Sequence, residues 1–499
     1  MISRRKIILP LSLFAAIAVL TATAQPSSSE IFEDRMMAND IPAIKKKQPM
    51  TALSLGYRAE NATSHRLMQM GKDKHNINIE ATTFQHLGEN DRIWGYASYD
   101  NRKTHDVVWN ETSDFLLLYP YVMADSRGGD FQAEQYSLHG GFAHQNFNNR
   151  SIAYGFEAGY RALQEYRQRD PRPNNTVADL QAKASIAYTL KNQTLALSFL
   201  GGKYKQTNEL IYMNELGAGI EYHLTGLGND YSRFSGGNNS AFFKGHSLGL
   251  QGDYQYRFDD NSYFNIDARY KHFYAEKVLQ NLNRLPLNSL STDEVNIEAV
   301  RFIRNKLGIS LFLDFSQRHG TDNFFGDGTG NIYEKIGSKR NFRQKSGLYG
   351  AKMYWQLPLG SDNFSSSITP SVSYYSLDTR QYSSNNSLES RGFVYKIISD
   401  SRYSWKKTIW SAAVFGLVRH CSKGAMNTFM LADERMADAL ETMSAFLNNN
   451  EYACGISLRY DSPITDRFGI FTKASFCNNW FSKTQHSQNY EITLGLTLL

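Results

Sequence analysis

After the first two dozen residues, the chain has no apolar run approaching the roughly 20 residues that a membrane-crossing helix needs, so a bundle of membrane helices is excluded. Charge of one sign is also scarce. The 54 basic residues face 48 acidic ones, and three of the cations fall in an N-terminal leader, which argues against a nucleic-acid partner. Only 11 prolines occur in 499 residues, and no Pro/Ser-rich linker divides the chain. One continuous unit therefore explains the length better than a row of soluble domains. Cysteine is reduced to Cys421, Cys454 and Cys477, an odd count without metal-ligand spacing. Alternation places Cys454 with Ile456 and Leu458, and Cys477 on the face opposite Phe476, so all three are expected to be unpaired. P-loop, dinucleotide-binding, EF-hand, H-E-x-x-H and G-x-S-x-G motifs are absent from the sequence. No cofactor, metal site or catalytic residue is expected. His105, His319 and His420 are assigned to loops, and adjacent His105 and Asp106 would point to opposite faces of a strand.

The chain does carry aromatic residues, 30 Tyr and 30 Phe, under a mean hydropathy of only −0.48. It also opens like a secreted protein. Arg4, Arg5 and Lys6 precede an apolar run from Ile7 to Leu20 and an Ala22-Thr23-Ala24 cleavage pattern. Residues 1–24 are read as a signal peptide, 25–50 as a periplasmic N-terminal segment and 51–499 as the main domain. Period-2 alternation then recurs to the C-terminus. Tyr490, Ile492, Leu494, Leu496 and Leu498 share one face, with Glu491, Thr493, Gly495 and Thr497 on the other. Segments of this kind lie at 151–161, 245–258, 262–275, 306–316, 347–358 and 408–418. In the last of these, Ile409, Ala413, Phe415 and Leu417 are taken as the apolar face. Weaker segments lie near Thr51, Asn76, Arg92, Gln132, Asp179, Asp293, Asn363, Arg391, Tyr452 and Arg467.

Strands of about ten residues, alternately apolar and polar and rich in aromatics, describe a transmembrane antiparallel up-and-down β-barrel. Short and long connections alternate strictly if 193–214 is one long strand projecting above the membrane. The count is then about 18 strands, with 16 kept open, and both termini face the periplasm. The long loops are 101–130, 162–176, 215–244, 276–292, 319–345 and 419–451. Proline fits this frame except at Pro370, inside a proposed strand, where a ladder donor would be missing.

The motifs Ser126-Arg127-Gly128-Gly129-Asp130 and Asp170-Pro171-Arg172-Pro173-Asn174-Asn175, with the frame between them, resemble an outer-membrane β-barrel family of Bacteroidetes-type bacteria classed only as a domain of unknown function. The resemblance covers nearly the whole mature chain. It implies a Gram-negative outer membrane and a barrel, and it implies no activity.

Candidate functional residues fall in two places. In the loops, the prolines around Arg172 fix the backbone, so Arg172 either awaits an anion or braces the rim with Asp170. Beside Arg127, the glycine pair serves a tight turn or close ligand approach. On the polar strand faces, Gln251, Asp253, Gln255 and Arg257 stand next to Asn265, Asp267, Arg269 and Lys271. They either line a wet lumen or satisfy one another across strands. Asp314 and Lys352 are equally ambiguous. One helical stripe, Met436, Leu440, Met443 and Leu447, lies in the last long loop, ended by Asn448-Asn449-Asn450. It could constrict the mouth, form a lid, dock a partner or cover barrel edges.

The leading expectation is a channel for small solutes, which a lumen packed shut would contradict in its simple porin form. The alternative is a non-conducting binding or scaffold barrel working with a TonB-type receptor, a lipoprotein or a secretion partner. A membrane-embedded hydrolase is a minor third. Membrane lipid, lipopolysaccharide and the outer-membrane assembly machinery are expected partners in each case.

Overall fold

A computed structural model describes residues 49–145, 152–214, 220–236, 240–330, 332–358, 363–482 and 485–498. Eighteen antiparallel strands, each hydrogen-bonded to its neighbours in sequence, form one sheet. The sheet closes where Met50–Ala62 pairs with His486–Leu498, Thr51 standing opposite Leu498. Closure leaves no edge, which a spanning sheet requires. The expected signal peptide and all but the end of the expected N-terminal segment lie outside the described residues. Met50 already belongs to the first strand.

Alternation sorts the two faces as the sequence suggests. On Ala241–Asp259, Leu248 and Leu250 are 65% and 46% exposed, while Gln251 and Gln255 are 4% exposed. Outward-facing Tyr403, Trp405, Trp410 and Phe468 gather near the short turns. Tyr349, Tyr374, Phe393 and Tyr395 form a second row toward the long loops, with ring centroids 5.1–6.4 Å apart along the row. An apolar band between two aromatic rows, far larger than a soluble surface tolerates, is a lipid-facing belt. Leu250→Arg should therefore lower stability by about 2–4 kcal/mol in vesicle refolding titrations, whereas inward Ser373→Ala should stay within about 0.5 kcal/mol.

Two expectations need correction. First, the strands run 13 to 22 residues, not about ten. They continue past the apolar belt at the long-loop end, where the hydropathy alternation fades but the ladder does not. The loops expected at 162–176, 276–292 and 319–345 shrink to 168–171, 280–284 and 326–334. Second, Thr408–Asn427 has the opposite parity. Trp410, Val414 and Val418 face outward, while Leu417 is buried inside. Phe415 lies beneath the Lys396 ammonium, 5.9 Å from ring centre. The inner face there is apolar because something packs on it. As expected, Pro370 sits inside a strand, Phe364–Gln381. It keeps its pairing with Ile397 on one side, and the ladder to Lys335–Gln356 skips from Lys352–Ser371 to Trp355–Ile368 on the other.

Candidate functional site: a folded plug in the mouth

The connection at 108–128 turns inward and fills the barrel at its long-loop end. Its Phe115-Leu116-Leu117-Leu118-Tyr119 run would be costly to leave in water. It forms a one-turn helix, Phe115–Leu118. Met123–Ala124 then adds to a small sheet with Tyr222–Gly226 and Asn229–Asp230 from the insert at 220–236. The helix Met436–Asn448 completes the plug, with Met436, Leu440, Met443 and Leu447 all buried. Of the four uses open to that stripe, the structure places it in the mouth. These three pieces share one apolar core with inward wall residues such as Leu163, Tyr204, Phe273, Phe342, Leu377 and Leu417.

Wall side chains hold the plug by its backbone. Arg318, fully buried, donates to the carbonyls of Leu116 at 3.0 Å and Tyr119 at 2.6 Å. Arg419 donates to those of Leu447 at 2.8 Å and Phe446 at 2.6 Å. Both arginines therefore cap a helix C-terminus, where carbonyls lack partners and a cation is favoured. Lys277 Nζ reaches the Val122 carbonyl at 3.1 Å. Asn175 and Asn208 both donate to the Glu111 carbonyl, at 2.9 and 2.7 Å. The glycine at 228, with φ +80°, lets Leu431 and Leu440 close over it, since a Cβ there would lie 2.5 Å from Leu431.

Buried ion pairs fasten the first insert to strand Ile152–Arg167. Arg161 holds Asp114 through two bonds of 3.0 and 2.5 Å, and Tyr204 donates to the same carboxylate at 2.9 Å. Arg167 donates to Asp125 at 2.6 Å, Glu111 at 3.4 Å and the Pro171 carbonyl at 2.9 Å. Burial, then the nearby Glu221 and Asp125 carboxylates, push the Glu111 carboxyl well above the usual range. In the second insert, burial and then the Lys277 cation push the His223 ring well below its usual value, which keeps it neutral.

Side-chain exposure along the interior locates the seal. Arg167, Glu111, Arg419 and Glu451 are 0% exposed in the mouth. Toward the short turns, the inward pairs Lys352–Glu298 and Arg459–Asp461 keep 15–25%. The charged pairs in the mouth are shut off from solvent, whereas the inward pairs nearer the short turns stay partly exposed.

The six strand residues singled out from sequence, Gln251, Asp253, Arg257, Asp267, Arg269 and Lys271, all point inward on two adjacent strands below the plug. The ladder sets Gln251 opposite Arg269 and Asp253 opposite Asp267. Gln251 Nε2 donates to Asp267 at 2.7 Å and to Asp253 at 3.4 Å, so the amide bridges two like charges. Arg257 donates to Gln255 at 3.0 Å. Asp314 accepts from Asn296 at 2.8 Å, and Lys352 lies 3.3 Å from Glu298. These are sideways contacts within the wall.

The loop candidates stand apart from that group. Arg127 is exposed, and its backbone N–H donates to Asp125 at 2.8 Å, as does that of Gly128. At Gly129, a Cβ would meet Arg167 Cδ at 2.7 Å, so the glycine pair makes room for the buried arginine. Arg172 engages Asp170 at 2.7 Å, and the other oxygen of Asp170 accepts from the backbones of Met213 and Asn214. That loop motif stitches two rim loops together. Among the described residues, no group of His, Cys, Asp or Glu is arranged to hold a metal ion, and all three cysteines are free.

No curated protein matches the sequence. Similar solved structures include the CymD monoaromatic hydrocarbon channel, 9% identical, with 93% of this chain and 92% of that one covered and a TM-score of 0.33. Others are the ferric preacinetobactin receptor BauA from Acinetobacter baumannii, 9% identical over 91% and 80% with a TM-score of 0.39, and the siderophore receptor PirA from Pseudomonas aeruginosa, 10% identical over 91% and 82% at 0.39. The model of a family of unknown function, DUF6850, matches residues 42–498, and the chain belongs to that family.

Proposed function

We propose that this protein is an outer-membrane barrel that stays closed at rest and works by binding at its folded mouth, with the long loops outside and both termini in the periplasm. The solvent-excluded charged pairs of the mouth carry this reading. A diffusion channel of this width needs a continuous wet path, whereas here the inserts pack an apolar core against the wall and their charged anchors are committed to one another. The loop after Thr408–Asn427 adds support. Its Phe429 and Met430 side chains are 75% and 60% exposed, yet their backbone N–H groups are pinned to Asn386 Oδ1 at 2.7 and 3.3 Å. A rigid loop that presents two apolar side chains suits a protein partner, such as a receptor or lipoprotein, better than a passing solute.

A gated channel is the second reading, favoured by the partly exposed inward pairs nearer the short turns. In that case the plug must unseat before anything passes.

Solute-driven swelling of proteoliposomes separates these from a simple pore. The native protein should admit small sugars no faster than empty liposomes, and a variant with residues 428–450 replaced by a short Gly/Ser turn should admit them freely. Porin-like swelling by the native protein would reject the closed reading.

A further inference from the structure

Just above the upper aromatic row, the outer wall carries a cluster of cations that the cross-strand register brings face to face. Arg343 stands opposite Arg380 on neighbouring strands, and Arg391 stands opposite Lys423 on the next pair. Like charges set directly opposite destabilise a sheet unless an anion joins them. Among the described residues, two carboxylates pair with the group. Asp378 lies 3.3 Å from both Arg343 and Arg380. Glu389 lies 2.5 Å from Arg391 and 2.9 Å from Lys423. Lys345, exposed and opposite Asp378 in the ladder, adds a fifth cation. The side chains of Arg380, Arg391 and Lys423 are 43–59% exposed, so their donors are open to the surroundings.

Height is the second observation. Arg391 is one outward position beyond Phe393, about 7 Å along the strand, Lys345 is two beyond Tyr349, about 14 Å, and Arg343 and Arg380 are three beyond Tyr349 and Tyr374, about 20 Å. Tyr349, Tyr374, Phe393 and Tyr395 mark where the apolar belt ends. The cations therefore begin at the depth where the apolar belt gives way to lipid headgroups and form a ladder that continues outward from it.

We propose that this face, built from Arg343, Lys345, Arg380, Arg391 and Lys423, binds the phosphate groups of an anionic, phosphorylated glycolipid in the surrounding leaflet. Guanidinium forks take phosphate oxygens in pairs, and the alkyl stems can lie along the acyl boundary while the heads reach the phosphates. Each opposed pair shares one carboxylate, and the bound phosphates balance the positive charge that remains. The inference rests on the outer-membrane reading, with the long-loop rim in the outer leaflet.

The test uses the full-length protein in phosphatidylcholine nanodiscs doped with bisphosphorylated lipid A in competition with its dephosphorylated form, with retained lipid counted by mass spectrometry. The native protein should retain the phosphorylated form several-fold over the other. The variant R343Q/R380Q/R391Q/K423Q should lose that preference while keeping the heat-modifiable gel mobility of a folded barrel. Equal retention by the native protein, or an unchanged preference in the folded variant, would overturn the proposal. Loss of the preference on adding inorganic phosphate at constant ionic strength would overturn it too, because the site would then be one for free phosphate. None of these readouts depends on conductance, and sidedness is read separately by labelling in cells.

Discussion

Arg167→Ala is expected to unseat the 108–128 insert while leaving the barrel standing. The substitution removes at once the partner of Asp125, a contact of Glu111 and the donor to the Pro171 carbonyl. Removing one member of a buried pair costs about 3–5 kcal/mol, because the remaining charge is stranded without water. That is a large share of what a small folded unit has to lose. The barrel itself is held by ladders around the whole ring and should keep its heat-modifiable mobility. Protease added to proteoliposomes should then cut within 108–128, and the native protein should resist it. Arg167→Lys should fall between the two, since it keeps the charge but not the fork. Raising the pH should act in the same direction. Glu111 has its pKa raised when seated, so its contribution is fully present below the ordinary glutamate range and is lost as pH climbs through the raised value.

Arg419→Ala should free the other half of the plug. Without the guanidinium, the Phe446 carbonyl loses its donor, the Leu447 carbonyl keeps Ser390 at 2.7 Å, and Glu451 loses one of two nearby cations, Arg66 being the other. An unmet buried acceptor costs about 1–3 kcal/mol and a stranded charge more. Amide hydrogen exchange should speed up by about 100-fold or more over Met436–Asn448, with the strands beside it unchanged. Equal protection in the variant and the native protein would mean that the apolar stripe alone holds the helix.

The barrel was legible because lipid reads one face of every strand. Tyr490, Ile492, Leu494, Leu496 and Leu498 leave no other period, and the alternation of short and long connections led to eighteen strands. Strand ends were not legible, because above the belt the outer face of a segment such as Lys335–Gly347 turns polar while its inner face mixes Phe342 with Gln344 and Ser346, and period-2 hydropathy disappears. The plug was half legible. The stripe Met436-Leu440-Met443-Leu447 stood out, and its mates did not. Phe115 to Tyr121, an apolar run inside a supposed surface loop, was the available signal for a segment that turns inward. Arg161, Arg167, Arg318 and Arg419 were missed because a lone arginine on a polar strand face looks the same whether water or a folded insert lies above it. The same ambiguity set Leu417 and Phe415 on the wrong side of their strand. They are apolar because they face the plug, not the lipid.

A single cysteine inside the barrel tests the seal most directly. In a background with Cys421, Cys454 and Cys477 replaced by serine, Ser457→Cys places a thiol on the inner face of Glu451–Pro463, below the plug. A maleimide on a polymer too large for general porins would be added to intact cells and to cells with a permeabilised outer membrane. A sealed outer mouth predicts no labelling of intact cells and labelling after permeabilisation, from the short-turn side. Labelling of intact cells would contradict the account, because it would require an open path through the mouth.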